Sequence, residues 1–372
     1  MSKLPPTTRT LVAPKKCLPA EYEMMEQPMP TITKPNDVLV RMKAVAINTG
    51  DTQFASGAFD ILHKGVSYPY PIGKEGSGVV VAVGSFVTEF QAGDAVYGVE
   101  IEKPIFARPH PAWSSEYTVT EPKFLHRKPE HLSFEEAAAL PAMTATAYQV
   151  IKRGLQLQGR ESLAGQTVYI PAALSASGST IIQVARNYFG AGNIISTVST
   201  PKMELVEENL PGMVNQLYDY KTQDVVKSVG RGTVDFALNT QFSTLDECIS
   251  LLKPQTGILM SIASLPRSED MLEMMGAAVF PRWVGWLLDF AQLWYTWKLR
   301  GTEIKYEFVS GDPGVRRDME IVGEMIAQAK VRGVLTRVEM DDLEEVRRAC
   351  ARVCSSKGGL GKLVLAFSEE GN

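Results

Sequence analysis

The sequence predicts an α/β protein with two domains, one rich in antiparallel strands and one built on a doubly wound parallel sheet. Three observations support this fold class. The chain has 372 residues, enough for two domains at roughly 150 residues each. Its first third holds short apolar runs that alternate with polar residues and are divided by glycine turns. From residue 166 onward, apolar runs alternate with helical segments, which is typical of a parallel sheet with right-handed crossovers.

The first third changes from a strand period to a helix period. Leu39–Asn48 alternates apolar and polar side chains, as a half-buried strand does. Gly76–Ile101 contains two apolar runs separated by glycine turn signals, which favours a small barrel-like antiparallel domain. Leu132–Gly154 is rich in alanine with helical spacing, and Ser133 precedes Glu136 by three residues. This last pair predicts a capping box at the start of a helix.

The second half predicts strands and helices in alternation. A helix is predicted from Ser179 to Gly190. Strands are predicted over 166–172, 193–200, 234–240 and 256–263, with a further helix over 243–254. The tail predicts a helix over 318–333, a strand over 335–340, a helix from Leu343 and a last strand over 362–367. These short tail pieces are candidates to rejoin the first domain.

Composition and charge exclude several function classes. Lys and Arg number 38 against 42 Asp and Glu, so the formal net charge is −4, and 45% of residues are hydrophobic. This balance excludes disorder over most of the length. The absence of a basic block argues against nucleic acid as a partner. Four cysteines without a C-x-x-C pair and four histidines without metal spacing predict no disulfide framework and no metal site. With no apolar leader segment at the start, we expect a reducing, cytoplasmic compartment.

An aromatic segment in the last third of the chain, Val279–Trp297, carries four of the five tryptophans. Pro281, Arg282 and Asp289 interrupt it, so it falls short of the roughly 18 uncharged apolar residues of a membrane span. A lid, a wall of a substrate cleft or a subunit contact is the favoured interpretation. Peripheral membrane contact is the alternative, because interfacial helices also favour tryptophan.

The loop between the strand over 166–172 and the next helix lies where a dinucleotide-binding fold carries G-x-G-x-x-G. Here only the last glycine of that pattern, Gly178, is present. Small residues still permit close approach of a pyrophosphate to the helix N-terminus, with Ser175, Ala176 and Ser177 as candidate contacts. The alternative interpretation is a plain turn between a strand and a helix.

The end of the strand over 193–200 predicts the choice of cofactor. An NAD enzyme places Asp or Glu here, on the ribose 2′-hydroxyl. This sequence has Ser199 and Lys202 instead, with no carboxylate in the segment. Hydroxyls and a cation suit a 2′-phosphate, so NADP(H) is predicted. An ordinary surface lysine in a loop is the alternative.

The chain resembles the medium-chain dehydrogenase/reductase superfamily, in its zinc-free quinone reductase and enoyl reductase branch. The resemblance covers nearly the whole chain, and its narrowest form is to stand-alone enoyl reductases of fungal secondary metabolism that act with polyketide synthases. The motifs that carry it are AVAINTGD (44–51), PIGKEGSGVVVAVGSFVTEFQAGDAVYG (71–98), LPAMTATAYQVI (140–151), DYKTQDVV (219–226) and GGLGKLVL (358–365).

The resemblance implies a GroES-like substrate domain over 1–150 and 305–372, split by a Rossmann domain over 151–304. It also implies a cofactor in the cleft between them. Further cofactor contacts implied in this way are Asn48, Asp51, Thr144, Tyr220, Ile262, Ala263, Gly361 and Lys362. Implied substrate contacts, together with those proposed for the aromatic segment, are Phe59, Met143, Tyr148, Trp283 and Trp286. Tyr148 is also compatible with a core position.

Departures from the family pattern bear on the chemistry. Zinc alcohol dehydrogenases of this superfamily have Cys and His near the positions of Asn48 and Lys74. Without those ligands, zinc-type alcohol oxidation is not expected, and hydride transfer from NADPH to a conjugated C=C bond fits better. Phe59 stands where mitochondrial-type enoyl reductases have a tyrosine that donates the proton. Lys74 is a candidate replacement, with an ion pair to Glu75 or Asp51 as the alternative, and Thr144 is a second catalytic candidate.

The predicted function is therefore NADPH-dependent, zinc-independent reduction of an activated C=C or quinone-like group in a bulky apolar metabolite such as a polyketide. Two alternatives stay open: a non-redox cyclisation, dehydration or isomerisation in the same fold, and a non-catalytic partner of a synthase. We expect a monomer or a homodimer, with a polyketide synthase as a candidate partner.

Overall fold

The computed structural model describes residues 4–58, 60, 66–105, 112–357 and 359–368. Its strands are β1 (Thr7–Ala13), β2 (Glu23–Pro28), β3 (Val38–Ile47), β4 (Tyr70–Pro71), β5 (Glu75–Val83), β6 (Ala95–Val99), β7 (Tyr117–Thr120), β8 (Leu125–Arg127), β9 (Thr167–Ile170), β10 (Asn193–Val198), β11 (Gln216–Asp219), β12 (Phe236–Asn239), β13 (Ile258–Ser261), β14 (Lys305–Phe308), β15 (Leu335–Glu339) and β16 (Lys362–Ala366).

The α-helices lie between these strands, in two groups along the chain. They are α1 (Thr49–Ser56), α2 (Phe134–Ala138), α3 (Pro141–Gln158), α4 (Ala176–Asn187), α5 (Leu205–Asn209), α6 (Val225–Val229), α7 (Leu245–Leu251), α8 (Ser268–Met275), α9 (Arg282–Lys298), α10 (Arg316–Ala327) and α11 (Leu343–Cys354). Among the described residues, no helix is both long and apolar enough to cross a bilayer.

The chain forms two compact units, the first being Met1–Ala142, Pro313–Met319 and Leu335–Asn372, the second Met143–Asp312 and Glu320–Val334. The predicted boundaries, 1–150 and 305–372 against 151–304, differ from this division. The reason at the second boundary is β14, which pairs in parallel with β13 and so extends the sheet of the second unit.

The first unit is β-rich. A seven-stranded sheet runs in the order β15-β16-β3-β5-β6-β8, with β7 also paired to β3, and β2-β1-β4 form a second sheet. Strands β3 and β5 approach so closely that a Cβ on Gly78 would lie 2.2 Å from the Arg41 carbonyl oxygen. The tail strands β15 and β16 join this sheet through β3, so this part of the tail returns to the first unit. The predicted tail helix does not, because Glu320–Val334 belongs to the second unit.

The second unit is a six-stranded parallel sheet in the order β11-β10-β9-β12-β13-β14. The order reverses beside β9, where a doubly wound sheet binds its ligand at the carboxyl edge. Its core joins apolar side chains from the sheet and from α7, among them Tyr169, Ile195, Ala237, Leu251 and Leu259. The predicted α/β fold class is confirmed.

The helix after β9 begins earlier than predicted. It starts at Ala176 rather than Ser179, because the Ser175 side chain accepts a hydrogen bond from the Gly178 N–H at 2.9 Å and caps the first turn. The capping box of Ser133 and Glu136 is present as predicted, but α2 ends at Ala138 and α3 starts at Pro141. A proline is accepted at a helix start and not within a helix.

Candidate functional site

The turn after β9 is built around an unusual alanine. Ala172 has φ +59°, a conformation that favours glycine. Its N–H donates to the Thr197 hydroxyl at 3.2 Å, and the Ala173 N–H donates to the Thr197 carbonyl at 2.9 Å. Neighbouring β10 therefore holds this turn in place although the sequence lacks the usual glycine there.

Gly178 is required by the packing of α4 against this turn. A Cβ on Gly178 would lie 2.2 Å from the Ala172 carbonyl oxygen, closer than any van der Waals contact. The hydroxyls of Ser175 and Ser177 lie 3.4 Å apart at the start of the helix and are half-buried. First-turn N–H groups of a helix have no partner within the helix and attract anions. The geometry of Ser175, Ala176, Ser177 and Gly178 therefore suits a pyrophosphate.

A lysine ammonium, that of Lys202, follows the end of β10, and a carboxylate that the local sequence did not predict, that of Asp219, lies beside this end. Lys202 is half-buried, and burial lowers the pKa of its ammonium. The Ser199 carbonyl accepts the Lys202 N–H at 2.8 Å, which turns the chain here. Because β10 and β11 are parallel, with Val198 beside Asp219, the fold brings a carboxylate to an edge where the local sequence shows none.

Asp219 is already engaged by neighbouring donors. The hydroxyls of Thr200 and Thr222 donate to its carboxylate at 2.6 Å and 3.0 Å, and the Lys221 N–H donates at 2.9 Å. These hydrogen bonds, the one from Thr200 foremost, lower the pKa of Asp219. The next residue, Tyr220, is about half exposed and lies under the Lys221 ammonium. Asp219 would oppose a 2′-phosphate electrostatically, so the prediction of NADP(H) depends on Lys202.

Asn239 organises the carboxyl ends of β12 and β13. Its side-chain N–H₂ donates to the Ser261 hydroxyl and to the Ala263 carbonyl, both at 3.0 Å. The Thr244 hydroxyl donates to its Oδ1 at 2.8 Å. The Ile262 N–H donates to the Asn239 carbonyl at 3.0 Å, so both predicted cofactor residues, Ile262 and Ala263, lie in a fixed loop.

Neither Asn239 nor Asp219 was among the predicted site residues. Each is a polar residue that ends an apolar strand of the parallel sheet. That pattern was present in the sequence and could have drawn attention to both, since ligands bind at the carboxyl ends of such strands.

The loop after Ala263 rests on α9. The Leu265 N–H donates to the Tyr295 hydroxyl at 2.9 Å, and the Gln292 side chain donates to the carbonyls of Leu265 and Pro266 at 3.1 Å each. Asp289 accepts from the Ser268 N–H at 2.9 Å and from its hydroxyl at 2.7 Å. The inner face of α9 therefore supports this loop. The predicted substrate contacts Trp283 and Trp286 lie on its exposed face.

A buried ion pair dominates the polar cluster of the first unit. The Lys362 ammonium pairs with the Glu75 carboxylate and also donates to Asn48 Oδ1. The other Glu75 oxygen accepts the Ala142 N–H at 3.0 Å. Both charged side chains are almost fully buried, and burial raises the pKa of Glu75 while Lys362 opposes that rise. Gly361, with φ +62°, forms the turn that leads to Lys362.

Asp51 and Lys74 form the second part of this cluster. The Asn48 N–H donates to the Asp51 carboxylate at 2.8 Å. Burial raises the pKa of Asp51, with Lys74 as the largest opposing influence. Burial lowers the pKa of Lys74, opposed by Asp51 and Glu100. Of the two predicted partners of Lys74, Asp51 therefore acts on it electrostatically, whereas Glu75 is paired with Lys362.

The Thr144 hydroxyl and Asn48 Nδ2 are among the buried polar atoms that lack a hydrogen-bond partner in the described residues. Buried polar groups are nearly always satisfied, so each such atom points to a ligand or an ordered water. Both belong to residues predicted to contact the cofactor. Within the described ranges, no group of three or more His, Cys, Asp or Glu side chains is arranged to hold a metal ion.

The other predicted substrate residues have varied positions. Tyr148 is buried and packs against Tyr188 and Phe189, with ring centroids 5.7 and 5.8 Å away, so the structure gives it a role in the core. Met143 is half-buried at the start of α3. Phe59 lies outside the described residues. Substrate contact by these residues stays a prediction.

Comparison with known proteins places this site in context. Residues 34–130 match the family described as the alcohol dehydrogenase GroES-like domain. The chain is similar to the dehydrogenase pigH of Monascus ruber, with 31% identity over 301 residues, 77% of this chain and 79% of that protein.

Two plant proteins align over a shorter region. The 2-methylene-furan-3-one reductase of Solanum lycopersicum is 35% identical over 54% of this chain and 51% of its own length. The chloroplastic NADPH-dependent alkenal/one oxidoreductase of Arabidopsis thaliana is 34% identical over 46% of this chain and 43% of its own. The chain thus spans about half the length of these two relatives. Among solved structures, the quinone oxidoreductase of Coxiella burnetii superposes with a TM-score of 0.72, 20% identity and coverage of 97% of this chain and 100% of that one.

Proposed function

Because this chain belongs to the medium-chain dehydrogenase/reductase superfamily, we propose that it is an NADPH-dependent reductase of a C=C bond conjugated to a carbonyl, acting without a metal ion. The observation that carries this proposal is the buried cluster around Asn48, in which two lysines, Lys74 and Lys362, lie among carboxylates. Ammonium groups repel a divalent cation and stabilise the negative charge that develops on an enolate oxygen. The plant relatives, named for a methylene-furanone and for alkenals and alkenones, support this substrate class.

The second unit supplies the groups for binding the cofactor. The N-terminus of α4 and the hydroxyls of Ser175 and Ser177 suit a pyrophosphate. The loop held by Asn239 presents the backbone of Ile262 and Ala263 at the carboxyl edge of the sheet. When bound there, NADPH supplies the hydride. The buried Thr144 hydroxyl, which has no partner among the described residues, offers a further hydrogen bond to cofactor or substrate.

The first unit supplies groups that orient a carbonyl and deliver a proton. Lys362 donates to Asn48 Oδ1 and thereby fixes the orientation of the amide. Asn48 Nδ2 is left as a buried donor with no partner among the described residues, suited to hydrogen-bond a carbonyl oxygen. Lys74 holds a proton on an ammonium whose pKa burial has lowered, which makes it a better acid at neutral pH than an exposed lysine.

The choice of NADPH over NADH rests on Lys202. In Lys202→Ala, loss of a charge-assisted contact of about 1.5–3 kcal/mol should weaken NADPH binding by roughly tenfold or more, while NADH binding is unchanged. Lys227→Ala, an exposed lysine of α6, is the matched control. Titration of the purified protein followed by nicotinamide fluorescence and calorimetry measures both affinities. Unchanged NADPH affinity in Lys202→Ala, or tighter binding of NADH by the unaltered protein, would refute the assignment.

The reaction itself is tested by NADPH consumption. We expect oxidation of NADPH with bulky apolar enones and none with their saturated analogues or with simple alcohols. A polyketide-type substrate and a synthase partner are the finer form of the proposal, and they rest on the resemblance of the sequence motifs to fungal enzymes that act with polyketide synthases. NADPH binding without consumption across a broad enone panel would contradict the reductase assignment.

A further inference from the structure

The outer face of α9 is a continuous apolar surface that its own unit leaves uncovered. Seven side chains on it are between 49% and 74% exposed. At about 100° per residue they fall within an arc of about 120°. We call this set the aromatic face; its members are Trp283, Trp286, Leu287, Phe290, Leu293, Trp294 and Trp297.

The opposite side of α9 already has its partners. Val284, Gly285 and Tyr295 are buried, and Asp289 and Gln292 hydrogen-bond the loop and helix start that follow β13. The helix is therefore apolar on two sides, and only the inner side is used within the described residues of its unit. A one-sided amphipathic helix would carry polar residues at the seven exposed positions.

The aromatic face is symmetric along the chain about Phe290. Three residues before and after it are leucines, Leu287 and Leu293. Four residues before and after it are tryptophans, Trp286 and Trp294, and Trp283 and Trp297 repeat this at seven residues. The buried positions do not share this symmetry, since Gly285 corresponds to Tyr295. The symmetry is thus confined to the exposed side chains.

This symmetric pattern makes the aromatic face complementary to a second copy of itself when the two copies are related by a two-fold axis. When two antiparallel copies of a helix cross on such an axis, each residue meets the one at the mirrored position of its partner. With the axis at Phe290, the phenylalanines meet each other, leucine meets leucine, and each tryptophan meets a tryptophan. Trp283, Leu287, Phe290, Trp294 and Trp297 also follow the alternating four- and three-residue spacing of a seam between helices.

The area of the aromatic face matches what a stable dimer needs. Burying one large aromatic side chain removes roughly 150–250 Å² from water, so seven side chains exposed to this degree offer on the order of 800 Å². The largest apolar patch of a typical monomer is about 300–600 Å². A standard protein interface buries about 800 Å² on each partner.

We propose that the aromatic face of α9 is the interface with a second copy of this chain, packed antiparallel with Phe290 on the two-fold axis. The flanking charges are compatible with this packing. Arg282 and Lys298 lie eight residues on either side of Phe290, so each Arg282 comes near the partner copy's Lys298. Lys298 is ion-paired with Asp246, whose mostly exposed carboxylate is available to both cations. Neither a lipid surface nor an unrelated protein requires mirror symmetry along the helix.

The first test compares the mass of the protein in solution with that of a matched pair of variants. Phe290→Arg places two cations on the axis, and Phe86→Arg changes an equally exposed phenylalanine of the first unit. By light scattering and sedimentation, we expect the mass of two chains for the unaltered protein and for Phe86→Arg. We expect the mass of one chain for Phe290→Arg. Four of the five tryptophans lie on the face, and Trp113 is buried. Dissociation should therefore shift tryptophan emission to longer wavelength.

The second test determines the register of the two copies of α9 by disulfide cross-linking, and it does not require the dimer to dissociate. In a Cys354→Ser background, Phe290→Cys should cross-link to itself under mild oxidation. Trp283→Cys and Trp297→Cys should each fail alone and cross-link when mixed. Phe290→Glu and Phe290→Lys should each be monomers and form a heterodimer when combined.

Several outcomes would overturn the proposal. A monomeric unaltered protein at tens of micromolar, whether or not it binds vesicles of phosphatidylcholine and phosphatidylserine, excludes the second copy. A dimer that persists in Phe290→Arg assigns the contact to another surface, such as the exposed edge of β14. Self cross-linking of Trp283→Cys in preference to the mixed pair excludes the antiparallel register.

Discussion

At the scale of single residues, the feature with most chemical consequence is Lys74, a buried lysine beside the buried Asp51. Replacing it with an isosteric apolar residue, Lys74→Met, should lower the rate of enone reduction about 100-fold or more, the usual contribution of a positioned acid. NADPH affinity should be unchanged. The matched control is Lys123→Met, which removes a lysine paired with Glu102 outside the cluster.

The direction of the Lys74 pKa shift predicts how the rate of enone reduction depends on pH. Burial lowers the pKa of Lys74 from its ordinary 10.5, so the ammonium loses its proton below that pH. A reaction that needs this proton should slow as pH rises through the lowered pKa. This alkaline decline should be absent in the residual activity of Lys74→Met. An unchanged rate and profile would show that Lys74 serves packing alone.

The Glu75–Lys362 pair gives a prediction for stability. Glu75→Gln leaves the Lys362 ammonium buried without its counter-charge, which typically costs about 3–5 kcal/mol. Lys362→Met should cost a similar amount, whereas the double variant should recover part of the loss because no lone charge stays buried. Urea unfolding of the four proteins measures the cycle. Strictly additive losses would mean that the two residues are not coupled.

At the scale of elements, the junction of β9 and α4 determines whether a dinucleotide is bound. Gly178→Ala would place a methyl group 2.2 Å from the Ala172 carbonyl oxygen, so α4 must shift and NADPH affinity should fall at least tenfold. Gly192→Ala, where a Cβ meets nothing within 4 Å, is the matched control and should bind normally. Calorimetric titration checks both. Equal affinity in the two variants would contradict a role for this junction.

The same junction shows what sequence could and could not predict. The strand, the turn and the helix follow from apolar periodicity and small residues, and they lie where that pattern predicts. The start of α4 was displaced by three residues because the Ser175 cap is a local hydrogen bond rather than a periodic feature. Asp219 reaches the cofactor edge only through the pairing of β10 with β11, which no segment of sequence contains by itself.

At the scale of the whole molecule, the two-unit fold was predictable because each unit has its own periodicity. Alternating strands with glycine turns predicted the β-rich unit, and strand–helix alternation predicted the parallel sheet. The partners of individual polar groups were less accessible. Lys362 meets Asn48 and Glu75, which are about 300 residues earlier in the chain. Before the fold, the resemblance to a known superfamily connected Asn48 and Lys362 as implied cofactor contacts, but it did not connect Glu75 with either.

Buried tyrosines in both units set the alkaline limit of the fold. Tyr22, Tyr70, Tyr97 and Tyr169 are each less than 5% exposed, and burial raises the pKa of every one above its ordinary 10.0. These phenols ionise near pH 10 in the unfolded chain but not in the folded chain. Their contribution to the stability of the folded state is therefore complete below pH 10 and is lost as pH rises above it.

Above pH 10, each such tyrosine lowers the free energy of unfolding by about 1.4 kcal/mol per pH unit. The four together lower it by about 5–6 kcal/mol per pH unit. A total stability of about 5–15 kcal/mol would then be exhausted between roughly pH 11 and pH 13. We expect the four phenols to ionise together with loss of secondary structure, seen by tyrosinate absorbance and circular dichroism in one titration. If the buried phenols instead ionised one by one near pH 10 in a folded chain, the packing described around them would be incorrect.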